Sequence, residues 1–101
     1  MEYQILGQSG LKVSRLCFGA LTIGPLQRNL PLSEGSRLIR AALEAGVNFI
    51  DTAELYRTYP YIREAMKGWH KDVIVATKSY SYTAEMMEKA LEDARRELDL
   101  E

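Results

Sequence analysis

Val47-Asn48-Phe49-Ile50-Asp51-Thr52-Ala53-Glu54-Leu55-Tyr56 is the stretch whose reading decides the fold. Its first four residues suit a buried strand. Asp51 puts a carboxylate at the strand's end, and Tyr56 follows five residues later in a loop. A second short run, Val73-Ile74-Val75-Ala76-Thr77, repeats the design and leads into Lys78. Two strands that each end in chemistry, with helical patterns around them, point to an α/β chain.

Upstream, Ser33 reads as the N-cap of a first helix, with Glu34 suited to the positive end of its dipole. Leu38, Ala42 and Ala45 share a face, joined by Ile39 and Leu43. Gly46 stands where a helix stops in the left-handed conformation. Downstream, Pro60 fits the first position of a second helix with Ile62, Ala65 and Met66 inward and Gly68 as its end. Thr83 caps a third helix carrying Met87, Leu91, Ala94 and Leu98 on one side. Glu85–Lys89 and Glu92–Arg96 are spaced for surface ion pairs along it.

The N-terminal region completes the order. Tyr3-Gln4-Ile5-Leu6 and Leu11-Lys12-Val13 flank Gly7-Gln8-Ser9-Gly10, the pattern of a β-hairpin. Arg15-Leu16-Cys17-Phe18-Gly19 reads as a buried strand, which places Cys17 in the core. Residues 19–32 hold Gly19, Gly24, Pro25 and Pro31 and read as loop. The sequence of elements is hairpin, then strand and helix three times. Strands alternating with helices imply a parallel sheet with right-handed crossovers.

Composition narrows the class. With 101 residues, one domain is the ceiling. A net charge of −1 without like-charge blocks argues against nucleic acid or an anionic membrane as partner. A single cysteine rules out an intramolecular disulfide and suits a reducing compartment. No apolar run approaches the roughly 20 residues that span a bilayer, and the N-terminus is not a signal peptide. A cytoplasmic location is the expectation. One Cys and one His give no metal-ligand cluster.

All strands of a parallel sheet leave through the same end, and the loops there hold the site. Asp51, Tyr56 and Lys78 therefore belong to one face. A phenol is a poor proton donor near neutrality, a neighbouring ammonium favours its phenolate, and a carboxylate holds that ammonium in place. Such a set moves a proton to or from a carbonyl oxygen. Each residue also has a plainer role: Asp51 as a helix cap, Tyr56 as packing, Lys78 as a solvated side chain. Their coincidence at one face is the argument. His70, in Gly68-Trp69-His70-Lys71-Asp72, precedes its strand and so lies at the opposite end, about 17 Å away along a five-residue strand.

Four segments together resemble the aldo-keto reductases: Leu6-Gly7-Gln8-Ser9-Gly10-Leu11-Lys12-Val13-Ser14, Phe18-Gly19, Ala45 to Tyr56, and Val75-Ala76-Thr77-Lys78. The resemblance runs through residues 1–101 in order. It implies a TIM (β/α)8 barrel closed at its base by an N-terminal β-hairpin, of which this chain holds the hairpin and the first three β/α units, incomplete as a barrel. Residues 1–101 would be the N-terminal part of that domain. It implies NADPH, with NADH as the alternative, and reduction of a small-molecule aldehyde or ketone by hydride transfer. By the same resemblance Tyr56 is the proton donor, Lys78 lowers its pKa and Asp51 holds Lys78. Gly19, Ala20, Leu21 and Thr22 would lie against the nicotinamide end, with Asp51 nearby.

The family's fourth catalytic residue, a histidine ending the fourth strand, has no counterpart here. Arg57 stands where the family often has glycine, which puts the pocket's shape in question. The acidic close of the third helix (Glu97, Asp99, Glu101) and two open sheet edges suggest a chain cut short. The isolated chain is then expected to be inactive and to self-associate through those edges. A non-catalytic, nicotinamide-binding regulatory subunit of the same fold is the competing reading.

Overall fold

The apolar runs and glycine stops converge on one architecture in the computed structural model, which describes residues 1–101. Strands β1 (Tyr3–Ile5) and β2 (Lys12–Ser14) pair antiparallel, Tyr3 opposite Ser14, as a separate two-stranded sheet. Strands β3 (Phe18–Gly19), β4 (Phe49–Asp51) and β5 (Ile74–Ala76) form a parallel sheet in the order β3-β4-β5. Helices α1 (Leu32–Glu44), α2 (Tyr59–Met66) and α3 (Ala84–Leu98) follow the three parallel strands. This is the expected hairpin followed by three β/α units. The strands are shorter than their apolar runs, because the ladder is formed only where both neighbours are in register.

The helix boundaries show which local signals won. Thr83 caps α3, its hydroxyl accepting from the Met86 N–H at 3.1 Å. Gly46 (φ 102°) and Gly68 (φ 71°) occupy the left-handed region after α1 and α2, as a helix stop requires. Ser33 is not a cap. Pro31 takes that position, with φ −55° and ψ 150°, and its carbonyl accepts from Glu34 and Gly35. Proline's preset φ and missing N–H suit a helix entrance, so α1 begins two residues earlier than a cap at Ser33 would start it. Pro60 is the second residue of α2, not the first.

Three further expectations are corrected. Leu38 and Ala45 face outward. The buried stripe of α1 is Gly35, Ser36, Ile39 and Leu43, turned by about one residue position so that α1 meets α2. A side chain at Gly35 would strike the Tyr61 ring of α2, so the two helices approach at a glycine. Cys17 is exposed, because β3 starts only at Phe18 and the preceding residues bend away. On α3, Asp93 collects the ion pairs, from Lys89 Nζ (3.1 Å) and Arg96 Nη2 (2.9 Å), in place of the Glu85–Lys89 and Glu92–Arg96 pairs.

Ile39, Ile50 and Ile62 are fully buried and centre the core between sheet and helices. Each contributes about 1.5–3 kcal/mol relative to exposure. Ala94 and Leu98 bring α3 into this core, while Met87 and Leu91 on the same helix stay exposed. The hairpin is tied beneath the sheet by polar contacts. The Ser14 N–H donates to Asn48 Oδ1 (2.7 Å), the Asn48 side chain donates to the Lys12 carbonyl (2.9 Å), and the Tyr3 hydroxyl donates to the Gly46 carbonyl (2.6 Å). Arg40 ties α1 to the end of α2 by donating to the Ala65 and Lys67 carbonyls, its guanidinium 4.8 Å from the Trp69 ring centre. No helix is long and apolar enough to cross a membrane.

Candidate active site

Alternation along β4 separates core from chemistry. Ile50 points to the helices and is fully buried, whereas Phe49 and Asp51 are half-buried on the other face. In register, Asp51 lies beside Gly19 of β3 and Ala76 of β5. Partners in a parallel ladder share a face, so the Asp51 carboxylate is flanked by two of the smallest residues. A Cβ added at Gly19 would meet nothing within 4 Å. The carboxylate therefore stands in open space at the strand ends.

Lys78 arrives two residues after β5 and reaches back over this row. Its ammonium donates to Asp51 Oδ1 at 2.9 Å and to the Thr52 carbonyl at 2.7 Å. The same nitrogen is 5.4 Å from the centre of the Tyr56 ring. The hydrogen bond that Lys78 donates to Asp51 is the main cause that raises the Lys78 pKa above its ordinary value; desolvation opposes it, and the Asp51 charge and Tyr56 add smaller upward contributions. Lys78 therefore stays an ammonium well beyond neutrality. The Lys78 and Asp51 side chains are 53% and 46% exposed, so the pair adds only about 0–1 kcal/mol to stability. Its place is better explained by chemistry than by folding.

Tyr56 sits in a tight turn that the sequence pattern did not reveal. Glu54–Tyr56 form one 3-10 turn, closed by Arg57 in the left-handed conformation (φ 57°). Glycine reaches that conformation without strain, and arginine holds it at a cost of order 1 kcal/mol. The turn is fastened across to β5 by the Glu54 N–H, which donates to the Lys78 carbonyl at 2.9 Å. Ala53, Leu55, Tyr56, Lys78, Ser79 and Tyr80 line a shallow, mostly apolar pocket of about 150 Å³. Leu55, Ser79 and Tyr80 were not singled out from the sequence, since they carry no spacing signal of their own.

The four residues 19–22 divide. Gly19 and Thr22 are exposed at this end of the sheet. Leu21 is half-buried in a second 3-10 turn, Leu21–Ile23. Ala20 is fully buried, and its N–H donates to the Asp51 carbonyl at 2.9 Å. Its role at the site is to hold the end of β4. His70 is exposed in the segment that precedes β5, at the far end from Lys78. No group of three or more His, Cys, Asp or Glu side chains is placed to hold a metal ion.

Parallel β/α units with an ammonium, a carboxylate and a phenol gathered where the strands exit define a site of the α/β-barrel kind. Residues 15–101 match the aldo/keto reductase family. The chain belongs to that family. It is 42% identical over 87 residues to a probable voltage-gated potassium channel subunit beta of Oryza sativa subsp. japonica, covering 79% of this chain and 26% of that protein. It is 29% identical over 113 residues to L-galactose dehydrogenase of Arabidopsis thaliana, covering 100% of this chain and 35% of that protein. Among solved structures, an aldo-keto reductase of Bacillus halodurans in its holo form superposes with a TM-score of 0.81 at 29% identity, over 99% of this chain and 37% of that chain. A thermostable aldo-keto reductase in complex with the inhibitor epalrestat gives 0.84 at 27% identity, over 99% and 39%. The chain thus spans 26% to 39% of the length of these relatives.

Proposed function

We propose that these residues form part of an NADPH-dependent oxidoreductase that reduces aldehydes or ketones to alcohols, with NADH as the alternative cofactor. The observation that carries the reading is the single ammonium of Lys78, 2.9 Å from Asp51 and 5.4 Å from the Tyr56 ring centre. In this reading the chain contributes three strands and the hairpin of an eight-stranded barrel.

Tyr56 is the proton donor. A carbonyl seated in the pocket beside Leu55 and Tyr80 takes the phenolic proton as its oxygen gains negative charge. Lys78 stabilises the phenolate left behind, and Asp51 fixes the lysine in its charged form. The row Gly19–Asp51–Ala76, two small residues flanking one carboxylate, fits the flat amide-bearing ring of a nicotinamide, with Thr22 exposed nearby in sequence. Gly19, Asp51 and Ala76 would hold a reduced nicotinamide there, and its chemistry would be to supply hydride to the carbonyl carbon.

The test is Tyr56→Phe in the full-length enzyme of which these residues would form part, assayed for carbonyl reduction and for cofactor binding by fluorescence quenching. Turnover falls by about 100-fold or more while cofactor affinity holds. Unchanged turnover would remove the reading. The 42% identity to a probable channel subunit beta favours a second one, a nicotinamide-binding regulatory subunit. Cofactor binding with no turnover across a broad panel of carbonyls would select it.

A further inference from the structure

Thr52 and Thr58 bracket the turn that carries Tyr56, and both are fully buried. Their hydroxyl oxygens lie 2.6 Å apart. Thr52 leaves β4 and Thr58 is the N-cap of α2, so this one contact closes the loop 53–57 at its base. Thr58 makes no side-chain cap to α2, although a threonine at that position ordinarily accepts from the helix's first turn. Its hydroxyl is committed to Thr52 instead. Its methyl group is packed just as closely, since a Cβ at Gly24 would lie 2.5 Å from Thr58 Cγ2. The Thr52 carbonyl, in turn, accepts from Lys78 Nζ.

Thr52 therefore touches the lysine through its backbone and the exit of the tyrosine loop through its side chain. Without the hydroxyl contact, the loop is held near Tyr56 by short-range turn hydrogen bonds and by Glu54 alone. Tyr56 lies beyond Glu54, on the side the Thr58 contact restrains.

We infer that Thr58 is a positioning residue: through Thr52 it sets the distance between the Tyr56 ring and the Lys78 ammonium. The catalytic consequence rests on the proposed reductase chemistry, but the geometric one does not. A buried hydroxyl left without its partner is penalised, whereas replacing both partners with apolar isosteres is close to neutral. The double variant Thr52→Val/Thr58→Val thus keeps the fold and lacks the contact.

The experiment compares the wild type with Thr58→Val, Thr58→Ser and the double valine variant, each in the full-length enzyme of which residues 1–101 would form part. The first readout is the proton chemical shift of the Lys78 ε-methylene, displaced by the Tyr56 ring current; Tyr56→Leu supplies the undisplaced reference. The second is the split between kcat and KM for a carbonyl substrate. Both valine variants lose the ring-current displacement and lose about 10- to 100-fold in kcat with KM little changed, and Thr58→Ser restores both. A displacement that survives in the double valine variant overturns the inference. A wild type that shows the displacement without turnover removes the reductase reading and leaves the positioning role to be decided by the displacement alone.

Discussion

Asn48 and Ser14 hold each other by two hydrogen bonds, Ser14 N–H to Asn48 Oδ1 at 2.7 Å and Asn48 N–H to Ser14 Oγ at 3.2 Å. One contact joins the last residue of the hairpin to the first turn of chain before β4. It lies at the foot of the sheet, away from the strand exits where Asp51 and Lys78 meet.

Asn48→Ala removes one partner and leaves the Ser14 N–H unsatisfied, a loss of about 1–3 kcal/mol. Urea denaturation measures it. Amide exchange is expected to rise in residues 3–5 and 12–14 before it rises in α1, because the hairpin forms its own sheet.

The Lys78–Asp51 pair predicts a pH dependence. The folded pKa of Lys78 is raised, so the stabilisation is fully present below the unfolded value of 10.5 and is lost as pH climbs through the higher folded value. Denaturation profiles of wild type and Asp51→Asn should converge above that range and differ slightly below it. Both side chains are about half exposed, so 1 M salt is expected to shrink the difference further.

Gly35→Ala tests the close approach of α1 and α2. The added methyl runs into the Tyr61 ring, whose hydroxyl is anchored to the Leu30 carbonyl at 2.5 Å. Overpacking costs about 1–3 kcal/mol. Better helix propensity returns up to about 1 kcal/mol. The thermal midpoint falls; a rise would mean that Tyr61 swings clear.

Strands β3 and β5 each pair on one side only, and Met87 and Leu91 leave an apolar strip exposed on α3. The 101-residue chain is expected to self-associate in a concentration-dependent way. Sedimentation velocity checks it, and Met87→Lys with Leu91→Lys should weaken the association if the helix face takes part.

The order of elements was legible because each boundary carries a local signal: glycines at 46 and 68, a threonine at 83, and apolar runs of strand length. The register of α1 was not. Leu38, Ile39, Ala42, Leu43 and Ala45 cover too wide an arc for periodicity to pick a face, and Tyr61 of α2 makes the choice. Cys17 was misplaced for a related reason: an apolar run does not say where the ladder begins. At the site, Asp51 and Lys78 could be placed from strand polarity alone. The Thr52–Thr58 contact could not, since a hydroxyl pair six residues apart looks like any polar loop until the turn is folded.

The three strand exits are stitched to one another by main-chain hydrogen bonds: Ala20 N–H to the Asp51 carbonyl, Thr52 N–H to the Ala76 carbonyl, Glu54 N–H to the Lys78 carbonyl. The Lys78 ammonium adds one side-chain tie across it, to the Thr52 carbonyl and Asp51. Replacing the reactive side chains at positions 51, 56 and 78 would leave those three main-chain bonds in place. Enzymes and non-enzymes descended from one ancestor would be the natural outcome of such a division of labour.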